Sequence, residues 1–484
     1  MHLPPELWVS ILHYLDLPDL KECRLVNKAI RDGATALVFE TVQFSFTKLS
    51  VQRFEHIGAH KTLACNVKTI NLRQGPAREY AAFASQESWE RNLPRGKWAN
   101  ITSAEIKALY DEYEMDRTML LSNKDDFLKI VVRSLEKTPN LLTFCHEPTK
   151  YDEMDWKHEW RGLRFCEDDD DDYDNESWAH AQEIEHDIDS LHTALFMQAL
   201  GSVQSPKLKT ISFEIYGPGF WIPSRLRHLW EGYGHGKIRE LRKIYQDAAM
   251  ADQKADESAD DTAMRDYSTQ LNTLQSIIGR VECIDLNVVE RYSNGSLDTI
   301  AEPLSRFLRL GKNLKEVTLA YGNFHAYFDR DPESHRELSN HREHSRGLLA
   351  QLAVGKPWSA IVTLHISIAT DSSTFLNFLD SIASTLRTLW LDSVILLPGD
   401  RKKFTWEYVL PCIPVRLSKV ECLLLDNLKD FRTDGSARKL FCSSTWKCGD
   451  CYNEYEDTIV KDLLWGGKLR RSLELDMLPD CRHQ

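Results

Sequence analysis

Long apolar runs are missing from this 484-residue chain. None approaches the ~20 consecutive apolar residues that a helix needs to cross a bilayer, so no membrane partner is expected. Nor does a basic segment lead into an apolar run and a small-residue cleavage site, so no secretory leader is expected. Disulfide patterning is equally absent. The 11 cysteines are scattered irregularly, which suits reduced thiols in the cytoplasm, the nucleus or both better than an oxidised framework. Clustered Lys and Arg are lacking too. With 60 basic residues against 73 acidic ones, nothing offers itself to a phosphate backbone, and nucleic acid is not an expected partner.

Catalytic chemistry is similarly hard to find. Gly232-Tyr233-Gly234-His235-Gly236-Lys237 is rich in glycine, but Ile238 follows the lysine where a phosphate loop needs Ser or Thr, and Glu231 holds the place of its first glycine. A flexible turn before a helix is the expectation there. The run Asp168 to Asp172 fails as a calcium loop, because Tyr173 and Ala179 occupy the glycine and bidentate-Glu positions. His341 and His344 have no evident third ligand. No Gly-x-Ser-x-Gly elbow and no His-Glu-x-x-His helix occurs. Cys448 and Cys451 have the gap of a zinc knuckle, with Cys442 upstream and Cys481 and His483 downstream. Tetrahedral zinc wants a second close pair, which is missing, so plain thiols are expected. No catalytic residue, cofactor or metal ligand emerges, and the chain is not expected to be an enzyme.

What is present starts at Leu3. From there to Phe44, apolar side chains crowd a stretch patterned as three short helices, more than so small a unit can bury. Pro4 and Pro5 suit a first helical turn, with Glu6 at the positive end of the dipole. Leu7, Ile11 and Leu15 sit four apart, and Trp8 with Leu12 widens their stripe. Asp16 is a candidate cap before Pro18, and Asn27 caps a third helix. Another protein is expected to cover part of this surface.

This stretch resembles the F-box family in Leu3-Pro4-Pro5-Glu6, the apolar helix Leu7 to Leu15, Leu17-Pro18-Asp19-Leu20 and Val26-Asn27-Lys28. Many F-boxes carry Cys where Asn27 stands and Trp where Ile30 stands. The resemblance implies docking onto the Skp-type subunit of a cullin–RING ubiquitin ligase, the SCF complex, and through it onto a cullin. On the family pattern Leu3, Pro4, Leu7, Ile11, Leu15, Leu20 and Val26 face that subunit or fix the helices that do.

Beyond residue 45 one motif recurs: an apolar residue, a second three positions on and a third five on. It reads Val67-Ile70-Leu72, Leu208-Ile211-Phe213, Val281-Ile284-Leu286, Leu314-Val317-Leu319, Ile361-Leu364-Ile366, Leu386-Leu389-Leu391 and Val420-Leu423-Leu425, with a weaker copy at Leu141, Phe144 and His146. Alternation over its last three positions is the period of a half-buried strand. Helical patterns lie between copies at Ser296 to Leu310, Ser345 to Val354, Ser372 to Leu386 and Thr405 to Leu410. The unit resembles the leucine-rich repeat. Against that family, the copies are irregularly spaced and the Asn or Cys that plugs the turn after the strand is mostly missing, with Asn427 the nearest match. Irregular arrays of this type follow F-boxes in fungi. Ordinary α/β packing is the alternative, and a right-handed crossover makes the strands parallel in either case.

The expected architecture is therefore mixed α/β: a small three-helix unit over 1–45, then an irregular leucine-rich-repeat-like solenoid of parallel strands and helices over 46–484. Two insertions interrupt it. The first, at about 147–190, holds seventeen acidic residues against four basic ones between Glu147 and Ser190, which accounts for the whole net charge of −13. Its aromatics Trp156, Trp160, Phe165 and Trp178 are expected to fold back, leaving the Asp168 to Asp172 run exposed. The second, at about 224–273, is expected to project as a charged helix.

The resulting expectation is an adaptor that binds the Skp-type subunit with its helices and an unidentified protein substrate with its repeats. Exposed strand positions Glu316, Thr318, Thr363, His365, Thr388 and Trp390 are the candidate substrate contacts, Trp390 foremost because aromatics dominate hot spots. Two alternatives remain: an F-box protein paired with the Skp-type subunit in scaffolding or trafficking without a cullin, and an α/β enzyme with a helical cap.

Overall fold

The computed structural model describes residues 5–46, 48–73, 102–111, 124–147, 158–160, 163–165, 192–203, 207–216, 275–289, 298–322, 347–354, 358–397, 405–426, 428–431 and 437–439. It divides into two compact units, 1–277 and 278–484.

Three short helices open the first unit: α1 (Pro5–Leu12), α2 (Leu17–Cys23) and α3 (Lys28–Val38). Each restart has its own cap. The Asp16 carboxylate accepts from Asp19 N–H at 3.0 Å, with Pro18 in the first turn, and Asn27 Oδ1 accepts from Ile30 N–H at 3.0 Å. Both side chains satisfy an N–H that the helix itself leaves orphaned. α1 and α2 pack on α3 around Leu12, Leu20, Ile30 and Ala34. Arg24 closes the unit by laying its guanidinium over the Phe39 ring, 5.2 Å from its centroid.

A parallel sheet follows, β1 (Thr41–Phe44), β2 (Thr69–Arg73), β3 (Thr143–Glu147) and β6 (Thr210–Tyr216) side by side in that order. The middle residues of the repeated motif stand in register, Ile70 opposite Phe144 and Phe144 opposite Ile211, and Val42 of β1 stands opposite Ile70. Beneath them the helices α4 (Lys48–Ala59) and Lys124–Glu136 complete an aromatic core. Phe44 meets Phe46, Phe54 and Phe196 at centroid distances of 5.4, 5.4 and 5.2 Å, and Phe144 stacks on Phe196 at 5.0 Å. Gly58 of α4 lets that helix approach closely, since a Cβ there would sit 3.1 Å from Ser134 Cα. In the acidic insertion, β4 (His158–Trp160) and β5 (Leu163–Phe165) form an antiparallel hairpin. Trp156, Trp178 and the Asp168 to Asp172 run lie outside the described residues.

The second unit repeats the scheme with β7 (Cys283–Val289), β8 (Glu316–Tyr321), β9 (Thr363–Asp371), β10 (Thr388–Asp392) and β12 (Cys422–Asp426), parallel and adjacent in that order. The last part of β9 instead pairs with β11 (Ile395–Leu397), which continues to β13 (Lys429–Phe431) and then antiparallel to β14 (Ala437–Lys439). Ser393, at φ 54°, turns the chain from β10 into β11, a left-handed conformation uncommon outside glycine. β9 runs into the helix Ser372–Ile382 without a loop, because Asp371 is both the last strand residue and the helix cap. Its buried carboxylate accepts from Thr374 N–H at 2.9 Å and Thr374 Oγ1–H at 2.7 Å, and also from Ser373. The indole N–H of Trp358 donates to the Leu308 carbonyl at 2.9 Å, anchoring helix Asp298–Arg309.

The junctions β1–β2, β2–β3, β3–β6, β7–β8, β8–β9, β9–β10 and β10–β12 start in the same way. Two successive N–H groups converge on the carbonyl just before the preceding strand, as Lys315 and Glu316 do on Glu282 and as Arg387 and Thr388 do on Val362, all between 2.7 and 3.1 Å. Side chains reinforce three junctions: Asn140 donates to Cys65 O at 2.6 Å, Asn313 to Gly279 O at 2.6 Å, and Lys419 to Ser384 O at 2.6 Å. In each case the donor immediately precedes the motif's first apolar residue. These bonds tie successive turns together at a place other than that of the turn-plugging Asn of regular repeats. Asn427, the one sequence match to that plug, lies outside the described residues.

Candidate functional site: two exposed surfaces

The apolar residues of the N-terminal helices divide into two sets. Leu12, Leu20, Ile30 and Ala34 are buried, with Trp8, Leu15, Cys23, Leu37 and Val38 packed against them. Leu7, Val9, Ile11, Tyr14, Leu17, Leu25 and Val26 are exposed, Leu25 to 80% and Val26 to 65%. The stripe seen in sequence thus splits by one residue per turn: positions 8, 12 and 15 turn to α3, while 7 and 11 turn outward on the same face of α1. Of the residues expected at a partner contact, Leu7, Ile11 and Val26 are solvent-facing, Leu15 is half-buried and Leu20 holds the core together. Leu3 and Pro4 lie outside the described residues. Val9, Tyr14, Leu17 and Leu25 are exposed apolar positions that sequence periodicity did not select, because Tyr14, Leu17 and Leu25 fall at helix ends where a stripe has no phase.

A second surface lies on the second unit's sheet, on the side away from its buried strand residues. The candidate contacts assemble there in two rows. Glu316 stands opposite Thr363, which stands opposite Thr388, and Thr318 stands opposite His365, which stands opposite Trp390. Asp285 and Leu424 extend the second row at either end. The imidazole of His365 lies flat on the Trp390 indole, with centroids 4.1 Å and planes 7° apart. Its Nε2 lies 3.6 Å from Asp392 Oδ2, one row further along. Trp390 and Leu424 are each 39% exposed, so neighbouring strands present an apolar floor flanked by carboxylates. Asp392 was legible as the i+2 neighbour of Trp390, and Asp285 and Leu424 as the counterparts of Thr318 and Trp390 in the copies Val281-Ile284-Leu286 and Val420-Leu423-Leu425.

The equivalent rows of the first unit are uncharged. Thr41, Thr69, Thr143 and Thr210 form a ladder in register across its four strands.

Among the described residues no group of His, Cys, Asp and Glu is arranged to hold a metal ion, and no helix is long and apolar enough to cross a membrane. Among the described residues Cys23, Cys65, Cys145, Cys283, Cys412 and Cys422 form no disulfide. Cys442, Cys448, Cys451, Cys481 and His483, the glycine-rich run 232–237, the insertion 224–273, and His341 with His344 lie outside the described residues.

Compared with known families, residues 1–37 match the F-box-like model. Those residues span α1, α2 and nearly all of α3. No curated protein matches the chain.

Proposed function

The chain carries an F-box-like domain in residues 1–37, and from that premise we propose that it is a substrate-recognition adaptor of an SCF-type cullin–RING ubiquitin ligase. F-box domains generally bind Skp-type subunits. The observation that carries the reading is the outward set Leu7, Ile11, Leu25 and Val26 on a unit whose own core is already filled by other side chains. Apolar surface of this kind marks a protein contact. The second unit then holds the substrate on its outward strand rows, around Glu316, Thr318, Thr363, His365, Thr388 and Trp390.

In this role the chain breaks and makes no bonds itself. It raises the effective concentration of a substrate lysine beside a charged ubiquitin-conjugating enzyme, and positioning supplies the acceleration. Its place of work is the cytoplasm, the nucleus or both.

The test is copurification. Leu7→Asp combined with Ile11→Asp should abolish recovery of the Skp-type subunit with an unchanged circular dichroism spectrum, since both side chains are exposed. Undiminished recovery would overturn the proposal. Recovery of the Skp-type subunit without any cullin would replace the ligase role by a scaffolding pair.

A further inference from the structure

We propose that the open edge of β12 takes residues 472–476 of this same chain as one further parallel strand. Among the described residues β12 has a single strand neighbour, β10, whereas β8, β9 and β10 have neighbours on both sides. A strand paired on one side leaves a row of N–H and C=O groups facing the other way, a template for another extended segment. The packing beneath this edge is unfinished as well. In the four preceding copies of the second unit's motif, from Val281-Ile284-Leu286 to Leu386-Leu389-Leu391, all three apolar residues are buried. In the copy that leads into β12 only Leu423 is, while Val420 and Leu425 are half-buried.

The sequence supplies the occupant. β10 is entered as Arg387-Thr388-Leu389-Trp390-Leu391-Asp392 and β12 as Glu421-Cys422-Leu423-Leu424-Leu425-Asp426. Past β14 the chain runs on from Lys439 to Gln484 and contains Arg471-Ser472-Leu473-Glu474-Leu475-Asp476, which lies outside the described residues. Its Leu-x-Leu-Asp ending repeats that of both strands. Leu473 and Leu475 fall where Leu423 and Leu425 stand, so alternation assigns them to the buried side, next to the half-covered Leu425. Arg470 and Glu474 stand where β12 has Val420 and Leu424, and polar residues at those places suit a capping turn better than an inner one. A parallel crossover takes a dozen residues or more, which residues 440–471 supply.

Charge is complementary too. At three junctions the residues just before the two strands form ion pairs: Glu40 with Lys68 at 3.0 Å, Glu282 with Lys315 at 3.1 Å and Arg387 with Glu421 at 2.6 Å. Arg471 holds that place ahead of residues 472–476 and so comes next to Glu421. Arg387 bonds Oε1 of that carboxylate, and a carboxylate has acceptor sites for a second guanidinium.

The test compares the full chain with its Leu473→Asp/Leu475→Asp variant. Deuterium exchange of residues 420–426, read by mass spectrometry, should quicken about tenfold in the variant, with β8 and β9 unchanged. A fluorescein-labelled peptide of residues 467–478 should bind the variant saturably and restore slow exchange, which shows that the variant is folded. It should bind the parent chain about tenfold more weakly, because there the tethered segment holds the edge. The peptide carrying both Asp substitutions should not bind, and Arg471→Glu in the peptide should weaken binding a few-fold. Equal exchange in variant and parent would overturn the proposal, as would a peptide that binds both alike. Slow exchange that the parent loses on dilution from dimer to monomer would overturn it in favour of a second copy. Fast exchange in the parent that slows only on adding another protein would overturn it in favour of a partner. The inference is independent of the adaptor reading, so Leu7→Asp/Ile11→Asp should exchange here as the parent does.

Discussion

Asn313 donates its side-chain amide to the carbonyl of Gly279, 2.6 Å away and one repeat earlier. Asn140 does the same to Cys65 in the first unit. Because both donors reach a backbone acceptor that no sheet bond uses, they act as clasps between turns. Asn313→Ala should lower the stability of the second unit by about 1 kcal/mol, the net worth of one such bond, with a lowered urea midpoint and an unchanged m-value. Asn313→Asp should cost at least as much, since a carboxylate cannot donate to a carbonyl. A midpoint unmoved by either substitution would show that the clasp is decorative.

Leucines in the F-box-like unit should separate by direction. Leu12→Ala removes a side chain buried to 1% exposure and should cost about 2–5 kcal/mol, visible as faster amide exchange throughout α1 to α3. Leu25→Ala should leave exchange unchanged yet weaken recovery of the Skp-type subunit. The paired measurement distinguishes a structural leucine from a docking one, and equal exchange in both variants would contradict the split.

Asp371 carries the strand-to-helix junction of β9. Asp371→Ala should destabilise the second unit by about 1–2 kcal/mol through loss of the cap. Asp371→Asn should recover part of that, because the amide oxygen can still accept from Thr374 N–H. Thermal unfolding followed in the near ultraviolet, where Trp358 and Trp406 report, is the measurement.

Helix 103–111 begins with a reciprocal cap. Thr102 donates to Glu105 from its N–H at 2.9 Å and from its hydroxyl at 2.7 Å, while Glu105 N–H donates to Thr102 Oγ1 at 3.3 Å. The bonds from the Thr102 backbone and then its side chain hold the Glu105 carboxyl below its ordinary value. A depressed carboxyl contributes its support above the unfolded-state value and loses it as pH falls through the folded one. Amide exchange within 103–111 should therefore quicken as pH is lowered below about 4.5, after correction for the intrinsic rate. Glu105→Gln should abolish that dependence.

Much of the sheet was legible because its signal is local. Each motif copy from Val67 to Leu425 became a strand or the approach to one, and even the degenerate copy at Leu141, Phe144 and His146 is β3. β1 was not read as a copy, since Val42 and Phe44 close the helical stretch and look like its tail. Three-residue strands such as β11 are too short to show a period. The helix Trp406–Arg416 was expected to stop at Leu410, before Pro411. It continues because Ile413 and Leu417 are buried on its inner side while Pro414 is exposed, so burial outweighs a missing donor. The outward rows of the second unit's sheet followed from alternation alone. By contrast, which half of the α1 stripe faces inward depends on where α3 lies, and a single helix's periodicity carries no such information. Leu20 illustrates this: chosen as a docking position or a support for one, it belongs to the core.

The paired N–H groups that open each junction bear on how this chain tolerates change. Each lock involves only a few backbone atoms at the start of one strand and the start of its neighbour, and nothing in it senses how much chain lies between. Closing a longer excursion costs little more than closing a shorter one, because the entropy grows only logarithmically with length. An array built on such locks can host sequence of nearly any size between its strands. Novel segments can be spliced in, lost or exchanged there while the outward strand rows keep their register.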